Sequence, residues 1–161
     1  LNAALDGKRL ELEFISPAMN LVGFEHAPAT PADEAKIAEA RSQLEQPAAL
    51  FGLPTAAGCS VSEQHLHGEL LGSAHAGYQR RDQDDDHQHE HSHAAAEEHG
   101  GHSDIEASYQ FDCSNPGSLQ ALDLKGLFER FPGTEKIQVQ LIGPNGQQGA
   151  ELTPARTQLP F

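Results

Sequence analysis

The chain has 161 residues, enough for one domain or for one domain carrying a long insertion. Its 10 Lys and Arg stand against 24 Asp and Glu, a formal charge of −14, which excludes an electrostatic grip on nucleic acid or anionic lipid and favours cations as partners. Tryptophan is absent, so the core must rest on Leu, Ile, Val and seven Phe, and no apolar run is long enough to span a membrane.

Leu1 opens directly into a strand-like pattern. The sequence therefore reads as a trimmed or processed chain, and its lack of a signal peptide does not bear on location. Residues 1–15 read as a hairpin with Asp6-Gly7 as the two-residue turn. After the turn, Leu10, Leu12 and Phe14 alternate with Arg9, Glu11 and Glu13, the period of a strand with one face buried. Ser16-Pro17 ends it, and Ala18 to Phe24 can form a short apolar helix. Thr30-Pro31 is a helix start, with Thr30 as N-cap, Pro31 in the first turn, and Asp33 and Glu34 at the positive end of the dipole. That helix runs to about Gln46. Pro47 interrupts it, and Ala48 to Leu53 adds one more turn.

Cys59 to Leu70 reads as a strand. Residues 73–103 differ in kind: they hold seven His and seven Asp or Glu, and no Leu, Ile, Val or Phe. Such a stretch cannot offset its ordering entropy by apolar burial and is expected to be disordered without a ligand. Ile105 to Cys113 resumes strand character, with Ile105, Tyr109, Phe111 and Cys113 on one face. Ser118 is expected to cap a helix to about Phe131, with Leu124, Leu127, Phe128 and Phe131 on one side. Lys136 to Ile142 is a strand, Asn145-Gly146 a second hairpin turn, and Gln147 to Thr153 the return. The run from Leu12 to Pro17 is echoed by Tyr109 to Pro116, each followed by a helix, which suggests a pseudo-repeat of two αβ halves. The fold class is α+β, antiparallel hairpins packed with two or three helices and a long His-rich loop inserted in a hairpin.

The two cysteines, Cys59 and Cys113, form no CxxC pair, which excludes a thiolate zinc knuckle. A disulfide, two buried thiols and a separate pair of metal ligands remain open. Register favours the disulfide. If 59–70 and 105–113 pair as a hairpin, Cys59 lies opposite Cys113, Val61 faces Phe111, Glu63 faces Tyr109 and His67 faces Ile105. The bridge would then close the base of a hairpin whose tip is the histidine-rich loop.

The chemistry concentrates in Asp84-Asp85-Asp86-His87-Gln88-His89-Glu90-His91-Ser92-His93. In an extended chain, histidines at i and i+2 point to one side, about 7 Å apart at Cα. Two imidazoles can converge on one ion from that spacing, and His99 and His102 are near enough in sequence to complete a tetrahedral set. The neighbouring carboxylates can add oxygen ligands or hold imidazole N–H groups. The absence of soft sulfur disfavours Cu(I), whereas imidazole with carboxylate suits Zn(II), Ni(II) and Cu(II). Ligation requires the neutral ring, so affinity for the tract is expected to fall below about pH 6.5. The alternative is an incidental polar tract.

A second candidate is His65-Leu66-His67-Gly68-Glu69. On a strand, His65 and His67 share a face with Leu66 on the other, the geometry of a folded, preorganised metal site. Two exposed strand histidines without a role are the competing reading. His26, beside Glu25, is a weaker candidate, and His75 belongs to the loop. An enzyme is not expected. His65-x-His67-x-Glu69 is faintly similar to the ligand runs of binuclear zinc hydrolases, but there is no HExxH, no serine elbow and no phosphate loop. A third reading is a sensor whose loop orders on zinc and creates a docking face.

The segments Phe14-Ile15-Ser16-Pro17-Ala18 and Gly23-Phe24-Glu25-His26, the two cysteines, the internal His/Asp tract, and Leu127-Phe128-Glu129-Arg130-Phe131-Pro132 followed by the Val139-Gln140 strand resemble one family over nearly the whole chain. It is the zinc-regulated periplasmic zinc-binding proteins of Gram-negative bacteria, which accompany an ABC-type zinc uptake system. The resemblance implies a periplasmic protein that binds Zn(II) and passes it toward transporter components. It selects zinc among the metals that the donors allow, and it supports the disulfide, since the periplasm is oxidising. Members of that family carry a signal peptide and a short His-containing segment ahead of the first hairpin, and this sequence contains neither.

Overall fold

A computed structural model describes residues 1–71 and 103–161. Its sequence-to-structure logic is clearest in β1 (Asn2–Asp6) and β2 (Arg9–Pro17), where strict alternation sends Leu10, Leu12 and Phe14 inward and Arg9, Glu11 and Glu13 outward. Asp6 still pairs with Arg9, so the two-residue loop is Gly7-Lys8 rather than Asp6-Gly7; Gly7 takes the left-handed φ of +57° that the tight turn needs. The second hairpin shifts likewise. Gly143 pairs with Gly146, leaving Pro144-Asn145 as the loop between β6 (Ile137–Gly143) and β7 (Gly146–Leu152).

Strand β3 (Cys59–His67) pairs antiparallel with β4 (Asp104–Cys113), so residues 72–102 connect the two strands of a hairpin. The expectation of disorder for 73–103 falls outside the described residues, except at its last position. There Ser103 is buried, its carbonyl accepts from Ala18 N–H at 2.8 Å and its hydroxyl donates to Glu25 O at 3.2 Å. Among the described residues the strands assemble in the order β3-β4-β2-β1-β6-β7. The three hairpins are antiparallel, as the sequence implies, but β1 joins β6 in parallel, a pairing that no local pattern signals. β2 and β4 lie side by side, each the second strand of its hairpin.

The inward face is covered by helices. α1 (Ala18–Val22) follows β2 directly. α2 (Pro31–Leu44) starts as expected: the Thr30 hydroxyl accepts from Asp33 N–H, and the Asp33 carboxylate accepts from Thr30 N–H. α3 (Pro47–Leu50) is the extra turn after Pro47. Leu44, Leu50 and Phe51 pack with Phe14, Tyr109 and Phe111 from the sheet, and each fully buried Leu or Phe contributes about 1.5–3 kcal/mol. The outward face carries Glu11, Glu13, Glu106, Gln138 and Gln140 and is exposed apart from half-buried positions such as Ser108 and Gln110.

The expected helix from Ser118 to Phe131 divides. Pro116–Ser118 is a single 3-10 turn, β5 (Ala121–Asp123) is a strand, and α4 (Lys125–Arg130) begins only after it. β5 pairs with β8 (Gln158–Pro160), with Leu122 opposite Leu159 in the core. A strand partner near the far end of the chain overrides the local helical spacing. The Asp123 carboxylate fixes the junction, accepting from Lys125 N–H at 2.9 Å and from the Gln158 amide at 2.9 Å.

Candidate metal centre

The first half of β3 points the odd-numbered residues inward. Cys59 pairs with Cys113 and Val61 with Phe111, and the cysteines are joined by a disulfide. Continued without interruption, that parity would also turn His65 and His67 toward the core. A bulge between Val61 and Glu63 prevents this. Ser62 is the extra residue, and beyond it Gln64 pairs with Tyr109 and Leu66 with Ala107, so these two take the inward positions. Glu63, His65 and His67 swing to the open face, opposite Gln110, Ser108 and Glu106 respectively. The expected pairs Glu63–Tyr109 and His67–Ile105 are therefore each displaced by one residue. The reason is that one inserted residue reverses the in-out parity of everything after it.

His65 and His67 are both exposed on the open face of an edge strand, with Leu66 partly buried against the core behind them. The shared face expected from the HxH spacing is present. Glu106, directly across from His67, is the carboxylate that the sequence reading missed. Its signal lay in the spacing of Val61 and Leu66: five residues apart, they cannot share a face of an unbroken strand.

A concavity of about 470 Å³ lies over the open face, lined among others by Asn2, Glu11, Glu13, Glu63, His65 and Gln140. No Lys or Arg borders it, and Glu13 is held by the Asn2 amide at 2.9 Å. Among the described residues, no three His, Cys, Asp or Glu side chains stand together closely enough to hold a metal ion. His87, His89, His91, His93, His99 and His102 lie in 72–102, outside the described residues.

Two anchors fix where that segment leaves and re-enters the fold. At its start Gly68 follows β3, where a Cβ would meet Asp104 O at 3.0 Å, and Leu71 is buried with its N–H donating to Gly68 O. At its end, Ser103 is tied to Glu25 and Ala18 as above. His26 follows Glu25. Its ring stacks on Phe24 with centroids 4.9 Å apart, and Nδ1–H donates to Ala27 O at 2.8 Å. No helix among the described residues is long and apolar enough to cross a membrane.

Fold and site together define an α+β protein with a disulfide-closed hairpin, whose two strands bracket an imidazole-rich segment and carry an exposed His-x-His pair. Over residues 1–161 the chain matches the family described as ZrgA family zinc uptake protein, and it belongs to that family. This is a zinc uptake family rather than an enzyme family. The disulfide fits an oxidising compartment outside the cytoplasm. No curated protein matches the chain.

Proposed function

We propose that the protein captures Zn(II) in the periplasm through its clustered histidines and hands it to components of an ABC-type zinc transporter. Residues 1–161 act as one zinc-binding domain, with 73–103 as the capture segment. The observation that carries this reading is positional. The imidazole-dense segment is inserted between two strands, locked at their base by Cys59–Cys113 and bearing His65 and His67 near their other end.

The chemistry follows from the donors. His87, His89, His91 and His93 alternate with other residues and are backed by carboxylates, so pairs of neutral imidazoles can seize a divalent ion, with His99 and His102 completing its coordination. A run without Leu, Ile, Val or Phe offsets little ordering entropy by apolar burial, so its ligands hold the ion less tightly than a closed cage does. That suits release by stepwise ligand exchange to a partner. His65 and His67 offer a second stop on rigid backbone.

Zinc titration with elemental analysis tests the reading on the full chain. The wild type is compared with a variant in which His87, His89, His91, His93, His99 and His102 are all replaced by Asn. The wild type should take up zinc at neutral pH, and the variant should lose most of that capacity. Equal stoichiometry in the two proteins would overturn capture by the tract.

A further inference from the structure

The geometry points to a three-donor zinc site on the open face of the sheet, made of His65, His67 and Glu106 and separate from the histidine-rich segment. The inference rests on zinc capture as the protein's task, and it adds a ligand and a location to it.

The backbone sets the three positions. His65 and His67 are two residues apart on β3, so their side chains leave the same face about 7 Å from each other. Glu106 is the direct antiparallel partner of His67, which places the two Cβ atoms about 5 Å apart. Two imidazoles from one strand and a third donor from its neighbour make up the donor set that a tetrahedral zinc ion with an open fourth position requires. Ser108, opposite His65, is small and leaves the space beside the imidazoles unfilled.

All three side chains are exposed, and among the described residues none of them makes a side-chain hydrogen bond or ion pair. They do not converge as they stand. Rotation about their exposed side-chain bonds, with the backbone left in place, is the movement that the site requires. The surroundings favour a cation. Asp104 shares the outward face of β4 with Glu106, and Glu63 precedes His65 on the outward face of β3. A plain His67–Glu106 ion pair is the competing use of the same register. It needs neither His65 nor a metal.

The test uses the full chain carrying the six tract substitutions together with His75→Asn, so that the imidazoles left are those of His26, His65 and His67. Zinc is titrated calorimetrically at neutral pH, and imidazole nitrogen shifts are followed by NMR. The expected result is one zinc per chain, with both His65 and His67 nitrogens shifting together. Affinity should fall at least about tenfold in each of His65→Ala, His67→Ala and Glu106→Gln, and remain unchanged in Glu135→Gln. If Glu106→Gln binds like its parent, Glu106 is not a ligand. If the tract-substituted parent binds no zinc while the wild type does, the open-face site is overturned and capture by the tract stands. A wild type that takes up no zinc overturns both. His65, His67, Glu106 and Glu135 are exposed, and matching circular dichroism spectra check that each variant is folded.

Discussion

Ser62 and Gln110 hold each other across the bulge in β3: the Ser62 hydroxyl donates to Gln110 O at 3.1 Å, and the Gln110 side-chain amide donates to Ser62 Oγ at 3.1 Å. Val61 already pairs with Phe111 and Glu63 with Gln110, so Ser62 is surplus to the ladder. Deleting Ser62 should straighten the strand and leave every later pair where it is, including His67 opposite Glu106. The expected cost is about 1 kcal/mol or less, the worth of the exposed hydrogen bonds lost. Chemical denaturation and mapping of the Cys59–Cys113 bond check this. A deletion variant that failed to form the disulfide would show that the bulge governs pairing in some other way.

Much of this arrangement is legible in the sequence. Strands β2 and β6 announced themselves by period two, α2 by Thr30-Pro31 with Asp33, and the β3–β4 pairing by two cysteines that fell into register. These are local signals, or a single long-range one with a covalent marker. What was not legible depended on partners far along the chain. β5 is a strand because β8 lies beside it, and β1 meets β6 in parallel only through a crossover. The site shows the same division. The HxH pair was readable from its spacing, whereas Glu106 emerges only once the bulge is placed, since an apolar alternation averages over one extra residue.

Cys59 and Cys113 are cross-strand partners 54 residues apart, and the bond between them closes a loop that contains the whole histidine-rich segment. In the chain-entropy model a loop of that length is worth about 4 kcal/mol to the folded state. Changing Cys59 and Cys113 together to Ser, or adding reductant to the wild type, should lower the unfolding free energy by about that amount. Denaturation in the presence and absence of reductant measures it. The double variant should become insensitive to reductant, so a residual response would point to some other reducible group.

Asp33 is the acid-sensitive element of the helical layer. Its carboxyl lies below the ordinary value of 3.8, held down first by the N–H of Ala29, then by Thr30, with a smaller contribution from the charge of His26. A depressed carboxyl pKa stabilises the fold above the ordinary value, and the contribution is lost as pH falls through the lowered one. Asp33→Asn should therefore destabilise the protein at neutral pH and lose its difference from the wild type in acid, below about pH 4. Helicity and thermal midpoints measured in parallel across this range decide it. A gap that widened toward low pH would contradict the capping role.

Tyr109 carries a polar group into the core. Its hydroxyl donates to Leu44 O at 2.9 Å at the end of α2, and its ring meets Phe51 edge-on at 5.5 Å. Tyr109→Phe keeps the packing but strands a buried carbonyl, at a cost of about 1–3 kcal/mol. Burial pushes the phenol well above its ordinary value of 10.0, because the phenolate would have to shed water. A raised pKa means that the stabilisation is complete below the ordinary value and is lost as pH rises toward the folded one. The wild type should accordingly lose stability as pH climbs above about 10, and Tyr109→Phe should be flatter over the same range. Denaturation midpoints against pH test this directly, and parallel curves for the two proteins would mean that Tyr109 ionises as easily in the fold as in the unfolded chain.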